Sequence, residues 1–386
     1  MSKLETMHQN AASLYEEREL KEALEIYEEI IKSNPADEVA LSCIMDIYLE
    51  LDDKFNYYLA RANVNIAQGK MEYAIRDTKK ALELDMEHID THRKLARLYK
   101  VDNKNLKAID EFLKIIELDC TVDDAYFELV DCYMQENSLD SAINIAQRAY
   151  EIFPNLANVK NMLAQLYFKA NDYENALKVV EDELLKIKIL LQDEQNQEAN
   201  ELIKKINYSN LNETQKRSYH ILKAQYFYNK MDYTVALIQI DQYVKMSGAD
   251  AVSYQMKALI YEGLNDEFNA SANWGYCKKL QGKFDEAIVE FENAIKQNPQ
   301  DKNILIELAN LYQQNKERFV AIEYWQKVYE IDKDENAREI LAEFYYSEGN
   351  FEKAEEYGKV IERKENYNDD QSEGLIDKIM AFFVKK

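Results

Sequence analysis

Small residues recur along this chain at a fixed interval, and that recurrence restricts its possible folds more than any other feature. Ala23, Ala74, Ala108, Ala142, Ala176, Ala236, Ala270, Ala287, Ala321 and Ala354 are mostly one period of about 34 residues apart. About twelve residues upstream of each stands a second small position: Ala11, Ala62, Ala96, Val130, Ala164, Ala224, Ala258, Gly275, Ala309 and Ala342. Only Val130 among these is branched. Two helices that cross at about 8–10 Å need small side chains where their backbones approach, and larger ones would wedge them apart. Each pair of positions therefore marks a helix hairpin.

Larger residues keep the same register at Leu95 and Tyr99, Leu129 and Tyr133, Leu163 and Tyr167, Leu308 and Tyr312, and Leu341 and Tyr345. The clearest stretch runs from Trp274 to Pro299. There the turn residue Gly282 precedes Phe284, Ala287, Ile288, Phe291, Ala294 and Ile295 at helical spacing, and Pro299 closes the helix. Comparable prolines stand at Pro35 and Pro154. With this pattern the chain resembles the tetratricopeptide-repeat family, built from helix hairpins of about 34 residues. The resemblance covers nearly all of residues 4–362. It implies an all-α fold, a right-handed superhelical solenoid of stacked antiparallel helix pairs.

Interruptions in the period define the expected organisation. Residues 1–180 form an N-terminal array, in which Ala23 and Ala74 are one and a half periods apart. The helix near 38–51 is left without a partner, because reading 54–67 as its second helix puts Tyr57 at the small position. Residues 181–216 read as an irregular helical joint: an over-long helix, then an amphipathic one with Ala199, Leu202, Ile203 and Ile206, then a polar loop. A second array fills 217–363, with a half-repeat junction near 267–281, where Ala270 and Ala287 are half a period apart. A polar linker (364–374) leads to an amphipathic C-terminal helix (375–386). On that helix Leu375, Ile376, Ile379, Phe382 and Phe383 share a face that would cap the solenoid, dock a partner, or make weak, reversible contact with a membrane surface.

Bulk composition agrees with this organisation. Gly 8 and Pro 3 in 386 residues leave little punctuation for strands and turns. A formal net charge of -24 repels phosphate backbones, so no nucleic-acid partner is expected. Cys43, Cys120, Cys132 and Cys277 form no CxxC pair, which fits a reducing compartment and buried packing roles. The start lacks the apolar core of a signal peptide, and the expected location is cytoplasmic.

Catalytic signatures are missing. No GxxxxGK[ST], GxGxxG or GxSxG occurs. His88 and His92 are one helical turn apart among acidic residues, but at the turn into a repeat they read as a solvated helix start rather than metal ligands. No cofactor and no metal are expected, and the chain is not read as an enzyme.

The family resemblance implies that first helices line a concave groove and that residues two, five, nine and twelve of each repeat face a bound peptide. Those positions are Asp90, Arg93, Arg97 and Lys100; Asp124, Phe127, Asp131 and Met134; and Asn158, Asn161, Gln165 and Phe168. The later array contributes Ser218, Ile221, Gln225 and Tyr228, and Asn303, Ile306, Asn310 and Gln313. Arg93, Arg97 and Lys100 make a basic stripe that could grip a carboxylate, unless Asp124 and Asp131 on the next helix neutralise it. Asn158, Asn161 and Gln165 could hydrogen-bond a peptide backbone whatever its sequence. The family's clamp for chaperone tails needs basic and amide residues where this chain has Glu128 and Asp124. The expected function is a non-catalytic scaffold that binds a protein or peptide segment. The alternatives are a peripheral membrane adaptor using the C-terminal helix and a peptide-sensing regulator.

Overall fold

The structure, a computed structural model, describes residues 3–359. The linker at 364–374 and the helix at 375–386, with Leu375, Ile376, Ile379, Phe382 and Phe383, lie outside the described residues. The chain divides into two compact units between Asp193 and Glu194. The first holds α1 (Lys3–Glu16), α2 (Leu20–Ser33), α3 (Glu38–Glu50), α4 (Lys54–Ala67), α5 (Met71–Leu84), α6 (Ile89–Val101), α7 (Asn105–Leu118), α8 (Asp123–Gln135), α9 (Leu139–Ile152), α10 (Ala157–Lys169), α11 (Tyr173–Val179) and α12 (Glu183–Gln192). The second holds α13 (Asn196–Lys205), α14 (Glu213–Asn229), α15 (Tyr233–Ser247), α16 (Ala251–Gly263), α17 (Glu267–Leu280), α18 (Phe284–Gln297), α19 (Lys302–Gln314), α20 (Arg318–Asp332), α21 (Glu335–Ser347) and α22 (Phe351–Glu356). Among the described residues there is no strand, and each unit is a solenoid of stacked helix pairs.

The hairpins form where the spacing places them. Ala96 and Ala108 are fully buried where α6 crosses α7, and Leu95, Tyr99, Phe112 and Ile115 fill the core beside them. The same small-to-small approach recurs at Ala164 and Ala176, at Ala224 and Ala236, and at Ala309 and Ala321. Tight turns inside the hairpins share one device, a residue at positive φ seven places after the first small position. It is Asn103 after Ala96, Asn137 after Val130 and Asn171 after Ala164. Asparagine tolerates this left-handed conformation better than most side chains.

Such a turn stands on both sides of α4, at Asp52 and Gly69, and on both sides of α17, at Asn265 and Gly282. Each of these helices therefore serves as the second helix of one hairpin and the first helix of the next, and each packs extensively on both neighbours. On α4, Ala60 joins the core of Ala40, Ile44 and Ile47 from α3, while Ala62 is fully buried at its small position. On α17, the Cys277 thiol donates to the Ala251 carbonyl of α16 at 3.3 Å. Gly275 meets α18 so closely that an added Cβ would lie 2.5 Å from the Phe291 ring.

Three expectations change. Helix α3 is not alone: it is half of a hairpin with α4, its small positions being taken by Met45 and Tyr57, and Ala60 one turn further on supplies the close approach. The over-long helix beginning the joint does not form. Val180 turns extended, with φ -66 and ψ 131, and α12 restarts after Asp182, whose side chain accepts from Leu185 N. Cys132 and Cys277 are buried, but Cys120 sits in the turn between α7 and α8 and is exposed.

Candidate peptide-binding groove

The groove is built on α6, α8 and α10, the first helices of three successive hairpins. The basic stripe of α6 faces the acids of α8. Arg93 Nε is 3.1 Å from Asp124 Oδ2, and Arg93 also pairs with Asp90 on its own helix. Arg97 Nε lies 3.8 Å from Glu128 Oε1, and Lys100 Nζ donates to Glu128 at 2.6 Å and to Asp131 at 2.7 Å. Burial alone would lower the Lys100 ammonium, but the hydrogen bonds to Asp131 and Glu128 outweigh it and raise the group. The stripe is therefore matched within the chain, and no row of unpaired cations awaits a carboxylate.

Beyond this ion-pair lattice the surface opens into a cavity of about 620 Å³. It brings together Phe127, Asp131, Met134, Asn158, Asn161 and Gln165, with Met162, Leu166 and Leu185 adding apolar wall. Phe127 and Met134 pack against core clusters on one side, which fixes their position. Asn161 is partly committed: its Oδ1 accepts from Glu181 N at 3.0 Å and Asp182 N at 2.9 Å, tying the break before α12 to α10. Phe168 does not line the cavity. It contacts Tyr173 at 5.8 Å between ring centroids, and Lys188 Nζ lies 4.9 Å from its ring centre.

Asp182, which caps α12, and Leu185 of α12 were not among the expected lining residues, because they become available only through the break at Val180. The available signal was Asp182 itself, a capping residue before an apolar run. In the second unit, Gln225 donates to Asn229 at 2.7 Å, Ile221 and Ile306 pack against the core, and Asn303 and Asn310 are exposed.

The two histidines have other duties. His88 caps α6, its Nδ1 accepting from Thr91 N at 3.2 Å. His92 is buried, with Nδ1 2.7 Å from Glu111 Oε2 and Nε2 3.0 Å from the Met86 carbonyl, so it links α6 to α7 and to the preceding turn rather than sitting solvated. Among the described residues no group of three or more His, Cys, Asp or Glu could hold a metal ion. Burial pushes the Cys132 thiol up to about 11, the direction opposite to that of a nucleophile.

Stacked hairpins with a solvent-facing groove of amides and apolar side chains define a helical-repeat, protein-binding scaffold. Residues 133–182 match the family described as tetratricopeptide repeat, and residues 276–316 match the one described as TPR repeat. The chain carries tetratricopeptide repeats over these two stretches, and they support a role as a scaffold for a protein or peptide. Among curated proteins none matches it. Solved structures similar to it include a tetratricopeptide repeat protein from Parabacteroides merdae, 14% identical, covering 80% of this chain and 98% of that one at a TM-score of 0.35. Pseudomonas aeruginosa PilF is 17% identical over 62% of this chain and 97% of its own, TM-score 0.37. The Cut9-Hcn1 hetero-tetramer of APC/C contains a chain 17% identical over 81% of this one and 57% of its own, TM-score 0.36.

Proposed function

We propose that the α6–α8–α10 face binds an extended segment of a partner protein, with an apolar side chain of that segment in the cavity beside Phe127 and Met134. Asn158 and Gln165 then hydrogen-bond the segment's backbone, while Arg93, Arg97 and Lys100 hold the acidic wall in place instead of gripping a carboxylate. The observation that carries this reading is the convergence of Phe127, Asp131, Met134, Asn158, Asn161 and Gln165 on one cavity. Such sites combine apolar lining with a few polar groups that set orientation.

A photo-crosslinking residue at Gln165 should capture a discrete partner, and Phe127→Ala should weaken that partner's binding about tenfold or more. Arg97→Ala, at an exposed and long ion pair, should change it far less. Undiminished binding by Phe127→Ala, with no crosslink at Gln165, would remove this face as the site.

A further inference from the structure

The two helices that serve two hairpins share a register. Ala62 and Ala74 of α4 and α5 correspond to Gly275 and Ala287 of α17 and α18. The residue before the first small position is Arg61 in one and Trp274 in the other. Three places after the second small position stand Asp77 and Glu290 respectively.

In α4 and α5 this constellation is complete. Asp77 is fully buried and takes a bidentate pair from Arg61, Nε to Oδ2 at 2.8 Å and Nη2 to Oδ1 at 2.6 Å. Asn65 adds a third donor at 2.9 Å. The guanidinium carbon stands 5.1 Å from the ring centres of both Tyr57 and Tyr58, and Tyr57 OH accepts from Nη1 at 3.1 Å. Planar charge, aromatic face and buried carboxylate form one site that the chain fills itself.

In α17 and α18 the acid is retained and the cation is missing. No lysine or arginine among the described residues lies within 4.0 Å of Glu290, and the nearby Lys278 is held by Glu286 at 2.6 Å. Tyr57 and Tyr58 are replaced by Ala270 and Ser271, and Arg61 by Trp274. Around α17, where Ala270 and Ser271 stand in place of the two tyrosines, a cavity of about 490 Å³ is lined by Ala270, Ser271, Trp274, Glu262 and Glu290, with Lys296 as its basic member. Trp274 Nε1 donates to Glu262 at 2.7 Å, which fixes the indole at the cavity wall. Burial raises the Glu290 carboxyl, with Lys278 opposing and Glu262 reinforcing it.

We propose that this cavity receives an arginine side chain from a partner protein, stacked on Trp274 and paired with Glu290 as Arg61 is stacked on its tyrosines and paired with Asp77. Arginine fits better than lysine because its flat fork meets a carboxylate with two parallel bonds while lying on a ring. The surface shares no residue with the α8–α10 cavity, and neither reading depends on the other.

The test uses the full chain and three N-acetylated, C-amidated pentapeptides, Gly-Gly-Xaa-Gly-Gly, with Xaa as arginine, lysine or citrulline. Of the two tryptophans, Trp325 is only 2% exposed, so a peptide-dependent change in indole emission reports Trp274. The arginine peptide should give a saturable change that weakens as salt rises, with lysine weaker and uncharged citrulline weaker still, by about tenfold or more. Near-isosteric Glu290→Gln, with its helical melt checked by circular dichroism, should lose binding by a similar factor. Trp274→Arg, which removes the reporting indole, should raise Tm by supplying the cation from within. Equal binding of arginine and citrulline peptides, no saturable change at millimolar arginine peptide, or undiminished binding by Glu290→Gln would each overturn the proposal. A concentration-dependent dimer abolished by Glu290→Gln would overturn it too, since the occupant would then be a second copy of the chain.

Discussion

Lys94 shows what a single residue's surroundings do to its charge. It lies on α6, where its ammonium donates to the Leu59 carbonyl at 3.2 Å and to Asn63 Oδ1 at 2.5 Å of α4. Neither partner is a carboxylate, and burial lowers the group to about 8. Its unfolded value is about 10.4. Below pH 8 both states carry the proton, and the folded chain bears the whole cost of the buried charge. Between about 8 and 10.4 the folded state releases the proton first, so stability from this group rises through that window and then levels off. Replacing it by Lys94→Met should change unfolding free energy relative to the parent by about 3 kcal/mol between pH 7 and pH 10.5, with the variant's advantage shrinking. Paired chemical melts at the two pH values measure this, and a pH-independent difference would contradict it. Nothing in the sequence marks Lys94, because a lysine on a helix looks solvated until the helix packed beside it is known. Phe127, Asp131, Met134, Asn158 and Gln165 were legible for the opposite reason, since one repeated register places them all on the same face. Asn161 fell between the two: its position was readable, but its side-chain Oδ1 is used by a helix break that no periodicity announces.

Helix α17, like α4, has little latitude, because both its faces are packed by hairpin partners. Its close approach to α18 depends on Gly275: Gly275→Ala drives a Cβ to 2.5 Å from the ring of Phe291, which is itself fully buried and cannot turn aside freely. We expect a loss of about 1–3 kcal/mol by chemical denaturation, the usual cost of overfilling a packed contact. The same substitution logic at Ala62 of α4 explains why that position is small although the α3 side of the helix is served by Ala60. The hairpins themselves were legible from small positions, yet the pairing of α3 with α4 was not, because Met45 and Tyr57 disguise the pattern. The turns carried what the helices hid. Asp52 and Gly69 around α4, and Asn265 and Gly282 around α17, occupy the same left-handed place as Asn103, Asn137 and Asn171. Turn residues at a constant offset thus identify a helix with two partners when its own small positions fail to.

Among the described residues, the substantial helix–helix contacts lie between helices one or two apart in sequence. Stability in such a stack is approximately a sum of repeat and nearest-neighbour terms, so damage should spread only as far as the adjoining hairpins. The Arg61–Asp77 pair is the place to test this. Removing the guanidinium in Arg61→Ala leaves Asp77, with no exposed surface, as a buried charge satisfied only by Asn65 and the more distant Arg76. Breaking a buried pair in this way costs about 3–5 kcal/mol. In a cooperative globule that loss would appear in every slowly exchanging amide. Here hydrogen exchange should show it in full for α3, α4 and α5, in part for α6 and α7, and scarcely at all for α8–α10. Uniform loss of protection from α1 to α12 would show that the first unit unfolds as one block, against the neighbour-by-neighbour packing that builds it. The gradient also bears on binding, because a groove centred on α8 and α10 would then keep its partner while the hairpins before it loosen.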